Sequence, residues 1–195
     1  MDLNEHTAIV DNDFTNHLVE CHLSDQQLVD DLNIMFSGLS LSAVMHPLVY
    51  EKELLKDKPR VKLLFAQKVF SKAEFTDIFQ GDLNKKTYYI QMVKNLYHTL
   101  MGEELPADGE DILTYWAYRK SLGEVHSFAT CLICGCGVFL SDDEDAKTLK
   151  RNLDSVTMDR VNVYSRQEFM DEFMKKDGNR LDRRDRRALT HSPAH

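Results

Sequence analysis

The sequence predicts an α/β fold, a three-layer α/β/α sandwich on a mainly parallel sheet, with a helical insertion in the middle. Three observations predict it. Short apolar runs alternate with longer segments whose apolar residues recur at helical spacing, the pattern of strands joined by crossover helices. The 195 residues are 43% hydrophobic, enough for one domain with a substantial core and too apolar for wholesale disorder. Two of the apolar runs end in aspartates, at the strand ends where open α/β sheets bind ligands.

Thr7-Ala-Ile-Val10 reads as a buried strand stopping at the acidic Asp11-Asn-Asp13. Ser24-Asp-Gln-Gln27 has capping-box spacing and precedes an apolar stripe of Leu28, Leu32, Met35 and Phe36, with Gly38 a suitable stop. Residues 42–55 carry a helix beginning near Pro47. Val61-Lys-Leu-Leu-Phe65 is the next strand candidate, and Ser71 to Leu100 reads as helical with a break at Gly81-Asp82. Asp108-Gly-Glu-Asp111 opens a segment in which Ile112, Tyr115, Trp116 and Arg119 recur at helical spacing. Gly123 interrupts it, and a helix from Glu124 to Ile133 follows, ended by Gly135-Cys-Gly137. Val138-Phe-Leu140 is a short strand, with Ser141 as cap of the next helix. Val161-Asn-Val-Tyr164 is the last strand, and Ser165 caps a closing amphipathic helix.

These elements make a single domain over residues 1–174, with 56–110 as the helical insertion and 175–195 as a basic tail. The net charge of −8 argues against a protein that grips nucleic acid by global positive charge. That charge is uneven. From Lys175 onward seven Lys or Arg face three Asp, a local +4 that leaves −12 on the rest. The N-terminus has neither a basic nor an apolar region of the signal-peptide kind, and no apolar run reaches membrane-spanning length. Four cysteines, three of them in Cys131-Leu-Ile-Cys134-Gly-Cys136, make no disulfide framework, so the expectation is a reduced, cytoplasmic protein with no membrane partner. The cysteine cluster lacks a second pair at zinc-site spacing and reads as buried packing.

The chemistry lies in the acids. Val10 runs into Asp11 and Asp13, Leu140 runs into Asp142, Asp143 and Asp145, and Glu124 opens the helix that feeds the second strand. Gathered carboxylates repel one another unless a cation neutralises them, and hard oxygen ligands suit Mg²⁺ or Mn²⁺. The bland alternative is capping: Ser141-Asp-Asp-Glu144 is itself a capping box, and Asp11-Asn-Asp13 can be a cap after a strand.

Ile9-Val-Asp-Asn-Asp13, Gly123-Glu-Val-His-Ser127-Phe-Ala-Thr and Val138-Phe-Leu-Ser-Asp-Asp-Glu-Asp-Ala146 together resemble the PIN-domain nucleases, metal-dependent ribonucleases common in toxin–antitoxin systems. About 25 residues carry the likeness, and residues 56–110 have no counterpart in it. The resemblance implies that Asp11 is the first-strand metal ligand with Asp13 beside it. It implies a mid-chain acid at Glu51, with Glu53 as competitor because the helix register is open. Glu124 would be the third acid, and Asp142 and Asp143 would complete the site, Asp142 nearer the strand. Ser127, a turn after Glu124, would reach a carboxylate or phosphate, or simply pack. The implied activity is RNA hydrolysis with Mg²⁺ or Mn²⁺. An antitoxin protein and a homodimer are the partners the family suggests.

Asp11-Asn-Asp13-Phe-Thr15 also fits the DxDxT signature of haloacid-dehalogenase-like phosphatases, with Asp11 as nucleophile, Asp13 as acid/base and Lys120 as the cation. That reading leaves the Gly-Glu-x-x-Ser helix unexplained. A non-catalytic PIN-like binding protein is the third alternative. In the tail, Arg183 and Arg184 within Arg180-Leu-Asp-Arg-Arg-Asp-Arg-Arg187 are candidates for contact with RNA phosphate, against a solvated terminal helix.

Overall fold

Every residue of Thr7–Val10 is buried, which is possible only for a strand covered on both faces, and this segment becomes the central strand β1. The computed structural model describes residues 1–105, 109–115, 121–153, 160–177 and 180–191. The sheet has β2 (Ser42–Met45), β3 (Phe70–Lys72), β4 (Val138–Leu140) and β5 (Asn162–Tyr164) in the order β3-β2-β1-β4-β5. All four pairings are parallel.

Side chains alternate across this sheet. Ala8, Val10, Met45, Phe70 and Leu140 enter one core, under α1 (Asn12–Val19), α2 (Asp25–Gly38), α4 (Pro59–Ala66), α9 (Arg166–Asp177) and α10 (Arg183–Thr190). Ile9, Val44, Phe139 and Val163 enter the other, under α5 (Phe75–Phe79), α6 (Leu83–Met101), α7 (Leu122–Cys134) and α8 (Glu144–Asn152). The architecture is therefore the three-layer α/β/α sandwich. No described helix is long and apolar enough to cross a membrane.

Several local expectations hold. Ser24 and Gln27 make the capping box of α2, and Ser165 and Glu168 make a reciprocal one at α9. Pro47 starts α3 (Pro47–Lys52), and Gly135 ends α7 at φ +71°. The break at Gly81-Asp82 separates α5 from α6, with Asp82 accepting from the Asn84 and Lys85 amides.

Other expectations are corrected. Val61–Phe65 is not a strand. Pro59 opens a helix there, and Val61 and Leu64, three apart, are the buried pair where a strand would bury alternate residues. The strand is instead Phe70–Lys72, which overlaps the start of the stretch read as helix; its three residues are too few to show alternation. Residues 56–110 therefore supply an edge strand of the sheet as well as helices. Ser141 is not the α8 cap; Asp143 is, accepting from the Asp145 amide at 2.8 Å. Residues 109–113 form a 3₁₀ helix, and Trp116, Arg119 and Lys120 lie outside the described residues. All four cysteines are free, and Cys131 and Cys136 are buried.

One buried polar chain ties α3, α6 and α7 together beside the sheet's carboxyl edge. His46, the N-cap of α3, accepts the Leu48 amide at Nδ1 (3.2 Å), so its proton sits on Nε2 and is donated to the Tyr89 hydroxyl at 2.9 Å. Tyr89 in turn donates to His126 Nδ1 at 2.7 Å. Burial holds His46 well below the ordinary histidine range and takes His126 down to about 3, so both rings stay neutral. Tyr89→Phe leaves both ring nitrogens without their partner and is expected to cost about 1–3 kcal/mol for each group abandoned. Urea denaturation that finds the variant as stable as the parent refutes this assignment.

Candidate functional site

β1 is followed by strands laid to one side of it, whereas β4 and β5 lie on the other, so the connections diverge between β1 and β4. In open α/β sheets the crevice at such a switch point is where ligands bind. Asp11 follows β1 and Ser141-Asp142-Asp143 follows β4. The register pairs Val10 with Leu140, and the Asp11 amide donates to Leu140 O at 2.9 Å, so the two exits stand side by side.

Ser141 joins them. Its buried hydroxyl donates to Asp11 Oδ2 at 3.1 Å and accepts from the Asp143 amide at 3.1 Å. Asp11 occupies the N-cap position of α1, yet its side chain makes no capping bond. Oδ1 is buried and has no hydrogen-bond partner among the described residues. Burial, then Glu53, then Asp13 push the Asp11 carboxyl far above the usual aspartate range, against the Asn12 amide and Ser141.

Glu53 and Glu124 come from different elements. Glu53 sits just past α3, and its carboxylate accepts the backbone N–H of Gly123. A Cβ on Gly123 would stand 2.5 Å from Glu53 Oε2, so glycine is what lets this acid lie on the start of α7. Burial, then Glu124 and Asp13, raise the Glu53 carboxyl to about 8. Glu124, in the first turn of α7, is raised by burial and then by Asp11, Asp143 and Asp13. Asp13 is raised by burial and by Asp143, with His17 partly offsetting them. Asp143 completes the group, one of its oxygens already engaged as the α8 cap.

Two expected members stand elsewhere. Asp142 is engaged by other partners, although its charge still acts on Asp13: it accepts the Arg166 amide (2.9 Å), the Arg166 guanidinium and His17 Nδ1 (2.9 Å). Burial opposes its ionisation, but these bonds outweigh it and hold its carboxyl below the usual value. Glu51 is exposed and paired with Lys56 and Lys72, each at 2.8 Å, whose hydrogen bonds take it down to about 2. Residues two apart on a helix point to opposite sides, so only one of Glu51 and Glu53 can face Gly123, and Glu53 does. Ser141 is the member the sequence reading missed; a serine one residue past a strand that lies beside the Asp11 strand was the available signal. Ser127 is fully buried on α7, and its hydroxyl has no partner among the described residues. Arg183 and Arg184 lie on α10, in the other core's layer.

The structure thus brings Asp11, Asp13, Glu53, Glu124 and Asp143 to one edge. Among the described residues no group of three or more His, Cys, Asp or Glu side chains is placed so that it could hold a metal ion. The donor chemistry nevertheless fits a hard divalent cation: all donors are carboxylates, one buried oxygen of Asp11 is unpartnered, and the carboxyls destabilise one another when ionised. No family model matches this chain, and no curated protein and no solved structure matches it either.

The cluster has a sign that stability can read. Acids with raised folded values bind more protons folded than unfolded, so their contribution is full below about pH 4 and is lost as pH rises through about 8. The neutral buried histidines act the opposite way, losing stability below their ordinary 6.5. Comparison with Asp11→Asn cancels them. Metal-free Asp11→Asn is expected to match the parent near pH 4 and exceed it by roughly 2–4 kcal/mol at pH 8. An unchanged difference across that range, measured by denaturant titration, contradicts the repulsion. Asp142→Asn, by contrast, is expected to lower stability by about 3 kcal/mol by removing the charged acceptor of the Arg166 guanidinium and of His17. A neutral effect in the same titration rejects that pairing.

Proposed function

We propose that the protein is a Mg²⁺- or Mn²⁺-dependent phosphodiesterase that hydrolyses RNA. The observation that carries this reading is the convergence of acids from four elements at the switch point, arranged so that they repel one another. Asp11, Glu53, Glu124 and Asp143 would hold the cation. Such an ion supplies positive charge to a phosphodiester and makes water a better nucleophile at neutral pH.

The chain's own residues do the rest. Ser141 orients Asp11 and Asp143 together, and the Gly123 amide fixes Glu53, so the ligand set is organised before anything binds. Asp13 keeps a proton to higher pH than an ordinary aspartate and is the group suited to exchange one with water or a leaving oxygen. RNA as the substrate, and an antitoxin or a second copy as partner, come from the PIN-domain resemblance and belong to the same proposal.

The phosphatase alternative needs a cation beside Asp11. Among the described residues the charged groups that act most on Asp11 are Glu53 and Asp13, both negative, which favours the metal reading; Lys120, the cation the alternative names, lies outside those residues. A trappable phosphoaspartate at Asp11 would reverse that judgement. A flat calorimetric Mn²⁺ titration would favour the non-catalytic binding protein.

The decisive comparison is between neighbouring glutamates. Glu53→Gln is expected to lower Mn²⁺-dependent cleavage of single-stranded RNA by about 100-fold or more, as loss of a metal ligand should. Glu51→Gln is expected to leave it within about 2-fold, since it removes an exposed ion pair. Equal activity of both variants, or no cleavage by the parent, defeats the proposal.

A further inference from the structure

α9 and α10 enclose a cleft of about 520 Å³ on the surface of the sandwich. One wall carries Arg183, Arg186 and Arg187, with His191 at the end of the helix; the other carries Gln167, Asp171 and Met174. We propose that this cleft binds the phosphodiester backbone of single-stranded RNA and leads it to the acid cluster, an inference that rests on the function proposed above.

The charges in the cleft are unevenly committed. Arg186 donates from Nε to Asp182 O at 3.1 Å and from Nη1 to Met174 Sδ at 3.0 Å, which folds its stem over α9. The guanidinium groups of Arg183 and Arg187 make no hydrogen bond or ion pair among the described residues. They stand four apart on α10, about 5–6 Å between Cβ atoms, close to the separation of successive phosphates in an extended strand. Guanidinium groups suit phosphate because they present paired donors. Asp171, the one acid in the wall, already accepts from Gln167 Nε2 at 2.9 Å. Met174, half-buried, gives the wall an apolar surface against which a ribose or base can lie. Arg184, the other tail candidate, does not line the cleft.

Position and charge balance favour RNA over an acidic protein. Gln167 is one residue beyond Arg166, whose backbone and guanidinium hold Asp142 at the carboxyl edge. A strand leaving the cleft at that end is delivered beside Asp11 and Asp143. The acid cluster itself repels phosphate, and the body of the chain carries −12, so a separate cationic surface is needed to hold a polyanion.

The test is binding of a labelled single-stranded oligoribonucleotide to the full chain in EDTA, followed by fluorescence anisotropy across a salt series. Arg183→Gln/Arg187→Gln, both exposed positions, is expected to bind about 10-fold more weakly. Its plot of log K against log salt should be shallower by about 1.4, at about 0.7 for each phosphate contact on a single strand. Lys62→Gln/Lys85→Gln removes the same charge outside the cleft and is expected to bind like the parent. With Mn²⁺, the cleft variant should raise KM and leave kcat unchanged.

Absent binding by the parent, equal loss in both double variants, or displacement of RNA by poly-glutamate at equal concentration each overturns the cleft assignment. If the cleft variant binds and cleaves like the parent while Asp11→Asn abolishes cleavage, the cleft inference fails and the nuclease reading stands. If no chain cleaves RNA but the cleft variant loses binding and salt slope, the reverse holds.

Discussion

Carboxylates crowded together with little water are unfavourable, and this chain uses a strand end, a helix start, a helix end and a loop to bring five buried or half-buried ones to one edge of its sheet. Asp11 is the centre of that constraint. It is buried at the exit of the central strand, held on one oxygen by Ser141 and unpartnered on the other. The Asn12 amide and Ser141 offset the effect of burial and of the repulsion from Glu53 and Asp13 only in part. A fold that keeps such a site without a ligand forgoes stability there, the usual arrangement of a functional site rather than of a core.

The remainder of the molecule holds this edge in place. The two apolar layers lock the strand register that sets Asp11 beside Ser141. The neutral His46–Tyr89–His126 chain fixes α3 and α7 to α6, and those two helices carry Glu53 and Glu124. Arg166 engages Asp142, which leaves Asp143 as the acid after β4 that acts on Glu124. Three adjacent residues after β4 therefore do three separate things: Ser141 orients, Asp142 anchors α9, and Asp143 joins the site.

The division of charge has the same logic. An acidic body with a hard-ligand cluster is unsuited to hold a polyanion unaided, and α10 sets four arginines against one aspartate. α10 is not a loose tail: Leu181 and Leu189 are buried, so its arginines are presented on a packed helix at a defined place.

By itself the sequence determined the alternation of elements, the acidic strand ends and the caps, because these depend on residues close together in the chain. Thr7–Val10, the Ser24 box, Pro47 and Gly135 are legible for that reason. It could not place Phe70–Lys72, a three-residue strand recognisable only by its ladder to β2. It could not choose Glu53 over Glu51, since the choice depends on Gly123 on one side and Lys72 on the other, each about 20 or more residues away in the chain. Nor could it separate Asp142 from Asp143, for the partner that decides is Arg166 on a different element. Which acids face one another is a property of strand order and helix rotation, and only the tertiary structure supplies those.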